Sequence, residues 1–321
     1  MNTWFFRILL LLLPLSSALA QDYSAVQWLQ RIYSATQKLN YIGTFIYQQG
    51  TEAESSRIVH VVDASGTHER LETLDGMPRE VLRNKDEVVC YLPTSGTMKI
   101  DRQPGWRWFP SLLPPSFSEL EDHYSLRKEG IERVAGYDCQ VIVLEPKDRM
   151  RYGHRLWADA KTGMLLKART FDERNGLVEQ FTFTQLQIGG IIESGNLKSR
   201  LASRTRDWRV ENSEAVQVNP ADKTWVFKTT PPGFHAVAEM TRTVGGTSGV
   251  RHIVLSDGFA SVSVFIEPVA DKRRAVVQAG PIRKGPINIY VRPLDSYRVT
   301  VVGETPLESV KYIAEAVEYR R

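Results

Sequence analysis

Apolar residues recur at helical spacing in residues 24–39 and at alternate positions from Tyr41 onward. The first segment has one apolar face, and Ser24 with Gln27 three residues later is typical of an N-terminal capping box. The apolar face consists of Ala25, Trp28, Leu29, Ile32, Ala35 and Leu39. This pattern predicts one amphipathic helix, and the change of period after it predicts strands.

Eleven β-rich runs follow the helix and are separated by turn residues. These runs are Tyr41–Gln48, Arg57–Val62, His68–Leu74, Arg79–Arg83, Glu87–Leu92, Thr97–Ile100, His123–Lys128, Tyr137–Glu145, His154–Ala158, Leu165–Phe171 and Val178–Leu186. Short connections join antiparallel neighbours, because parallel strands need long crossovers. A sheet of this size must curl, close or split, so the runs predict one large, strongly curved antiparallel sheet.

An apolar, proline-rich segment at residues 103–118 interrupts the strand pattern. Its prolines and large apolar residues are Pro104, Trp106, Trp108, Phe109, Pro110, Leu112, Leu113, Pro114, Pro115 and Phe117. So many prolines exclude a central strand. Two interpretations stay open: a loop that closes one end of the core, or a lid over an apolar cavity.

Residues 189–218 are polar and without periodicity, which predicts an interdomain connection with an edge segment near Leu197–Ala202. A second, smaller unit follows. Its strand runs are Thr224–Phe227, Ala236–Val244, Arg251–Leu255, Phe259–Glu267, Ala275–Gln278, Ile287–Arg292 and Tyr297–Val302. A final helix is predicted with Thr305 as N-cap, Pro306 at the first helical position and Glu308 completing a capping box. Its buried stripe is Val310, Ile313, Ala314 and Val317.

Residues 1–20 have the pattern of a secretory signal peptide. Arg7 precedes the apolar run Ile8–Leu13, which is far shorter than the roughly 20 residues that span a bilayer. The small residues Ala18 and Ala20 form a cleavage site, and Gln21 in place of Cys argues against a lipid anchor. We therefore expect export to an oxidising compartment, and a bacterial periplasm in particular.

Composition adds few constraints. Hydrophobic residues make up 42% of the chain, enough for a core, and the net charge of +4 is spread along it, so no nucleic-acid surface is indicated. The two cysteines, Cys90 and Cys139, could pair in an oxidising compartment or remain separate buried thiols, and both alternatives stay open.

No catalytic or metal-binding motif is recognisable. The six histidines lack metal-ligand spacing, and the glycine-rich stretch at residues 245–249 fits neither a nucleophile elbow nor a phosphate loop. We therefore expect no enzyme activity, metal or cofactor. Three basic runs are candidates for contact with a partner or with phosphate or carboxylate groups, and solvated loops are the plainer interpretation. The runs contain Arg149, Arg151, Arg155, Lys272, Arg273, Arg274, Arg283 and Lys284.

Several stretches, in the same order over both units, give the chain a family resemblance. They are Leu74–Val81, Arg151-Tyr152-Gly153 leading to Trp157, Leu177–Phe181, Trp225, Pro231-Pro232-Gly233-Phe234, Ser256-Asp257-Gly258-Phe259 through Ile266, and Val301–Glu304. On these stretches the sequence resembles the MucB/RseB family of periplasmic regulators of the sigma-E envelope-stress response.

The resemblance implies an α+β fold that is mostly antiparallel β. The larger domain would be an unclosed β-barrel like that of LolA and LolB with packed helices, followed by a smaller C-terminal α+β domain. We expect a signal peptide at residues 1–20, a lipid-sensing domain at 21–204, a linker at 205–218 and an anti-sigma-binding domain at 219–321.

The resemblance also implies a function. Family members bind the periplasmic region of a single-pass anti-sigma factor, RseA or MucA, and shield it from regulated proteolysis until lipid-like signals such as lipopolysaccharide release it. Our candidates for an acyl-chain cavity are Trp28, Ile32, Phe45, Trp106, Trp108 and Phe109. A periplasmic carrier of lipid or lipoprotein is the alternative, and homo-oligomerisation is left open.

Overall fold

The computed structural model describes residues 23–85, 87–102, 117, 119–213, 215–219, 224–269 and 279–320. The predicted signal peptide, the proline-rich segment at 103–116 and the predicted strand at 275–278 lie outside these residues. Three helices are described: α1 (Ala25–Lys38), the single turn α2 (Leu120–His123) and α3 (Leu307–Ala316).

Helix α1 begins as its sequence predicts. The Ser24 hydroxyl accepts a hydrogen bond from the Gln27 amide at 3.2 Å, and the Gln27 side chain accepts one from the Ser24 amide at 2.8 Å. This capping box satisfies two backbone donors that the helix itself leaves unpaired. The buried face, which includes Trp28, Leu29 and Ile32, packs into the core of the larger sheet.

The larger sheet contains twelve strands in the order β12-β6-β5-β4-β3-β2-β1-β11-β10-β9-β8-β7. Their bounds are β1 Tyr41–Gln49, β2 Glu52–Asp63, β3 Gly66–Thr73, β4 Glu80–Asn84, β5 Glu87–Leu92, β6 Thr97–Arg102, β7 Tyr124–Val134, β8 Tyr137–Pro146, β9 Gly153–Asp159, β10 Leu165–Phe171, β11 Leu177–Ile188 and β12 Arg209–Ser213. Each of the eleven predicted runs coincides with a strand. Among the described residues the end strands β7 and β12 do not pair with each other, so the sheet is unclosed, as expected.

The smaller sheet contains seven strands in the order β13-β15-β16-β17-β20-β19-β18. Their bounds are β13 Ala215–Gln217, β15 His235–Val244, β16 Thr247–Ser256, β17 Ser261–Pro268, β18 Gly280–Lys284, β19 Ile287–Leu294 and β20 Tyr297–Gly303. A separate two-stranded ribbon joins β14 (Trp225–Phe227) to β21 (Val317–Tyr319). Helix α3 packs on this sheet through Val310, Ile313 and Ala314, all fully buried.

The connection between the sheets is more regular than its sequence predicts. Strand β12 pairs parallel with β6, and β13 pairs antiparallel with β15, so the linker adds one edge strand to each sheet. The predicted edge segment near Leu197–Ala202 is wrong, because 3-10 turns occupy Ser194–Leu197 and Ala202–Arg204. An edge strand with polar side chains lacks the alternation that reveals a buried strand.

The predicted cap of the last helix is also wrong. The N-cap is Pro306, whose backbone is extended, and no side chain caps the helix. Thr305 points into the interior and is fully buried, so its hydroxyl does not reach the first turn. Burial of this side chain therefore overrides the local capping signal.

The two cysteines are unpaired. Cys90 lies on β5 and Cys139 on β8, and seven strands separate them in the sheet. Burial raises the pKa of the Cys139 thiol to about 12 and also raises the pKa of Cys90. Both residues are therefore protonated thiols at neutral pH.

Candidate functional site

A rigid loop of the smaller domain, residues 256–260, projects towards the larger domain. The Asp257 Oδ1 atom accepts hydrogen bonds from the amides of Phe259 at 2.9 Å and Ala260 at 2.7 Å. The Ser256 hydroxyl accepts one from the Gly258 amide at 3.0 Å and donates one to the Ala260 carbonyl at 2.8 Å. These bonds fix the loop, which we name the docking loop.

Phe259 of the docking loop belongs to the hydrophobic core of the larger domain, and only 7% of its surface is exposed. Its ring centroid lies 4.3 Å from that of His154 on β9 and 6.0 Å from that of Tyr124 on β7. The smaller domain therefore inserts an aromatic side chain into the interior of the larger one.

Asp257 of the same loop forms a buried ion pair with Arg151 of the larger domain. Arg151 Nη1 donates to Asp257 Oδ2 at 2.6 Å, and both side chains are 0% exposed. The remaining guanidinium nitrogens donate to the Pro232 carbonyl at 2.6 Å and to Asp148 Oδ1 at 3.1 Å. The guanidinium also lies near the Phe234 ring, at 5.3 Å from its centroid. Each nitrogen of this buried cation is thus satisfied.

Further hydrogen bonds join the domains beside this ion pair. Asn288 Nδ2 on β19 donates to the Tyr152 hydroxyl at 3.0 Å and to the Thr305 carbonyl at 2.8 Å. The Ser309 hydroxyl, in the first turn of α3, donates to the Met150 carbonyl. Together with the docking loop these contacts form one surface, which we call the domain joint.

Gly233 is required at the domain joint for two reasons. Its φ of +79° lies in the left-handed region, and a Cβ atom there would lie 2.1 Å from Nε2 of His123. Any larger residue would clash with His123 and strain the backbone, so only glycine lets the chain turn this close to the larger domain.

A hydrogen-bonded chain continues from the domain joint into the larger sheet. Thr170 on β10 contacts His154 Nδ1 at 3.2 Å and donates to Glu179 Oε1 at 3.2 Å. The Tyr47 hydroxyl donates to the other oxygen of Glu179. Glu304, which lies between β20 and α3, has a pKa raised to about 7 by burial and by the negative charge of Glu179.

A cleft of about 560 Å³ opens beside the domain joint, between the two domains. Arg149 and Arg174 line it from the larger domain, and Arg283 and the start of α3 at Leu307 line it from the smaller one. Acidic side chains are interspersed, namely Asp148, Asp172, Glu173 and Glu308. The cleft therefore presents charges of both signs together with apolar surface.

Models of one family match both halves of the chain. The MucB/RseB N-terminal domain matches residues 24–201, and the MucB/RseB C-terminal domain matches residues 219–318. The chain belongs to the MucB/RseB family.

Relatives match over nearly the whole chain. The Pseudomonas aeruginosa protein named sigma factor AlgU regulatory protein MucB is 32% identical, over 96% of this chain and 96% of its own length. The Haemophilus influenzae sigma-E factor regulatory protein RseB is 26% identical, over 98% of each chain. A crystal structure of MucB in complex with MucA(peri) is 28% identical and superposes with a TM-score of 0.71, covering 93% of this chain and 100% of that one.

Three of the stretches that resemble the MucB/RseB family meet at the domain joint. Arg151-Tyr152-Gly153, Pro231-Pro232-Gly233-Phe234 and Ser256-Asp257-Gly258-Phe259 each supply contacts described above. Sequence reasoning noticed these stretches but did not assign Asp257, Phe259 or Asn288 to a site. The signal that could have found Asp257 and Phe259 is a charged residue and an aromatic residue on either side of a glycine.

The structure places the predicted basic residues in different environments. Arg149, Arg151 and Arg283 all line the cleft. Arg149 and Arg283 are exposed, whereas the Arg151 side chain is buried and hydrogen-bonded within the chain. Arg155 lies elsewhere and forms ion pairs with Glu129 and Glu132. Lys284 is exposed on β18. Lys272, Arg273 and Arg274 lie outside the described residues.

The predicted cavity residues divide into two groups. Trp28, Ile32 and Phe45 are at most 6% exposed and pack together in the core of the larger domain. Trp106, Trp108 and Phe109 lie outside the described residues. Among the described helices, none combines the length and apolar character needed to cross a membrane. In the same part of the chain, no three His, Cys, Asp or Glu side chains are grouped to hold a metal ion.

Proposed function

We propose that this protein binds the periplasmic region of a single-pass anti-sigma factor of the RseA/MucA type and protects it from regulated proteolysis. Lipid-like signals of envelope stress then release the partner. The observation that carries this proposal is the similarity to MucB solved in complex with MucA(peri), which extends over 93% of this chain at 28% identity. The names of the two sigma-factor regulatory relatives support it.

The two domains have separate roles in this proposed function. Residues 21–204 sense lipid, and residues 205–218 connect the domains through β12 and β13. Residues 219–321, together with this linker, supply much of the partner contact. Export through the signal peptide at 1–20 places the protein in the periplasm, where the outer part of an anti-sigma factor is exposed. The protein acts by binding and not by catalysis.

The cleft is the proposed contact for charged groups of the partner. Arg149 and Arg283 lie on opposite walls of it and are exposed, so an incoming chain would meet both domains at once. Charges at the rim of an interface mainly speed association and select the partner. Each guanidinium nitrogen of buried Arg151 already donates within the chain, so we do not assign this role to Arg151.

A cleavage assay tests the proposed function. The mature protein is mixed with the periplasmic region of the anti-sigma factor from the same genome and with the protease that makes the first regulated cut. We expect the protein to slow this cut in proportion to the complex formed, and R283E to require more protein for the same protection. R133E is the matched control, because Arg133 on β7 is exposed and does not line the cleft. An unchanged rate of cleavage with the unaltered protein would contradict the proposal.

We propose further that an acyl chain enters the apolar interior beside Trp28, Ile32 and Phe45. These side chains are closely packed, so entry requires the larger domain to open locally. Displacement of a fluorescent fatty acid by lipopolysaccharide measures this binding. Tight acyl-chain binding by a protein that gives no protection in the cleavage assay would favour the lipid-carrier alternative.

A further inference from the structure

His154 occupies the centre of the domain joint. Its ring contacts Phe259 of the docking loop at 4.3 Å between centroids and lies 6.4 Å from the Tyr124 ring. It is the point where the aromatic insertion of the smaller domain meets the hydrogen-bonded chain of the larger domain. A change in the charge of His154 would therefore act on the Phe259 contact and on the hydrogen-bonded chain.

The hydrogen bonds define which ring nitrogen carries the proton. The Glu179 carboxylate only accepts, so Thr170 donates to it, and the Thr170 oxygen accepts from Nδ1 of His154. The neutral ring thus has its proton on Nδ1. A second proton, at Nε2, would create a cation in the contact with Phe259.

The charged groups around the ring do not compensate such a cation. Asp257 and Asp148 both accept from Arg151, and Asp257 also accepts from two backbone amides. Glu179 is separated from the His154 ring by two hydrogen bonds through Thr170, and its carboxylate also accepts a hydrogen bond from Tyr47. Tyr124, the remaining titratable neighbour, is neutral because burial raises its pKa well above the ordinary value.

We infer that the domain joint is a proton-sensitive latch, in which protonation of His154 displaces Phe259 and shifts the domains from a docked to a separated arrangement. This latch is a property of the protein alone and does not require the proposed partner. It adds to the proposed function a control of the domain joint by pH, which needs no lipid.

The direction of the pH effect follows from the two arrangements. Burial lowers the pKa of docked His154 to about 3, whereas a solvated imidazole has a pKa of about 6.5. The separated arrangement therefore binds more protons between these values. Docking is fully favoured above pH 6.5 and is progressively lost as the pH falls below it. The opening equilibrium rises about 4-fold from pH 7.5 to 6.0 and about 30-fold from pH 7.5 to 5.0.

Glu304 titrates in the opposite sense, because its docked pKa is raised to about 7, above the ordinary value of 4.5. Protonation of this carboxyl favours docking between those values, so it opposes the effect of His154. An E304Q background removes this contribution and isolates His154. His123, which packs against Gly233, is also at the joint and is kept unchanged in every variant.

Hydrogen exchange in the E304Q protein tests the latch. Protection of peptides spanning residues 150–152 and 257–260 is measured from pH 7.5 to 5.0 and corrected for intrinsic exchange rates. We expect the opening equilibrium to rise about 30-fold and H154Q to remove this rise. H68Q, a control at a partly exposed histidine on β3, should retain it. Glutamine is neutral and keeps an N–H donor for Thr170. An unchanged pH dependence in H154Q would overturn the inference.

An NMR titration provides a test that does not depend on a variant folding. The pKa of His154 is read from its ring resonances in the E304Q protein. A value far below 6.5 with separation of the domains at low pH supports the latch. A value near 6.5 would overturn it, because docking would then gain nothing from a neutral ring.

Discussion

Arg151 shows how single residues hold the domains together. Its charge is buried, and the carboxylates and carbonyl around it satisfy every guanidinium nitrogen. Breaking such a buried pair leaves the other charge uncompensated, which costs far more than loss of an exposed ion pair. The contribution of Arg151 is therefore structural and specific to the docked arrangement.

The variant R151M should lower the free energy of unfolding by about 3–5 kcal/mol, because Asp257 is left as an unpaired buried charge. Urea denaturation at pH 7.5 measures this change. The double variant R151M/D257N should lose less than the sum of the single variants. R155M is the control, since its ion pairs are partly exposed and should contribute at most about 1 kcal/mol. Equal losses in R151M and R155M would contradict this account.

At the level of elements, the two long helices begin differently. Helix α1 has the capping box that its sequence predicts, whereas α3 has a plausible capping sequence that the structure does not use. Within the described residues the Thr305 hydroxyl has no hydrogen-bond partner and is fully buried. A local capping signal therefore decides the start of a helix only when its side chain is not drawn into the core.

These two helix starts give a paired prediction. S24A should lower the free energy of unfolding by about 1 kcal/mol, because the Gln27 backbone amide loses its hydrogen-bond acceptor. T305V should be neutral or stabilising, because it replaces an unsatisfied buried hydroxyl by a methyl group of similar size. Thermal denaturation of both variants compares them directly. A loss in T305V as large as that in S24A would show that Thr305 caps α3 after all.

Strand positions were predictable because successive side chains of a strand point to opposite faces of the sheet, so a half-buried sheet gives alternating apolar and polar residues. The same rule failed at Arg209–Ser213, where an edge strand pairs with β6 through its backbone and its side chains carry charges such as Glu211. The domain joint was not predictable either. Residues 106 positions apart in sequence, Arg151 and Asp257, meet there, and neither position alone indicates its partner.

On the scale of the whole molecule, the two domains share more than a linker. Strand β12 extends the larger sheet, and strand β13, which follows it closely in sequence, extends the smaller one. In addition, Nη2 of Arg242 on β15 lies 3.8 Å from Oδ2 of Asp101 on β6. Interfaces between domains of one chain commonly permit relative motion. Here the insertion of Phe259 and the buried Arg151–Asp257 pair instead couple the two cores.

This coupling predicts how the mature protein unfolds. At pH 7.5 calorimetry should show one transition for both domains, because unfolding of either domain exposes Phe259 and leaves a buried charge unpaired. The variant R151M should weaken the coupling and divide the transition into two, while R155M should keep one. Two transitions in the unaltered protein would mean that the joint contributes too little to couple the cores. The same measurement at pH 5.0 in the E304Q background should approach the two-transition behaviour of R151M, since a protonated His154 weakens the joint from its other side.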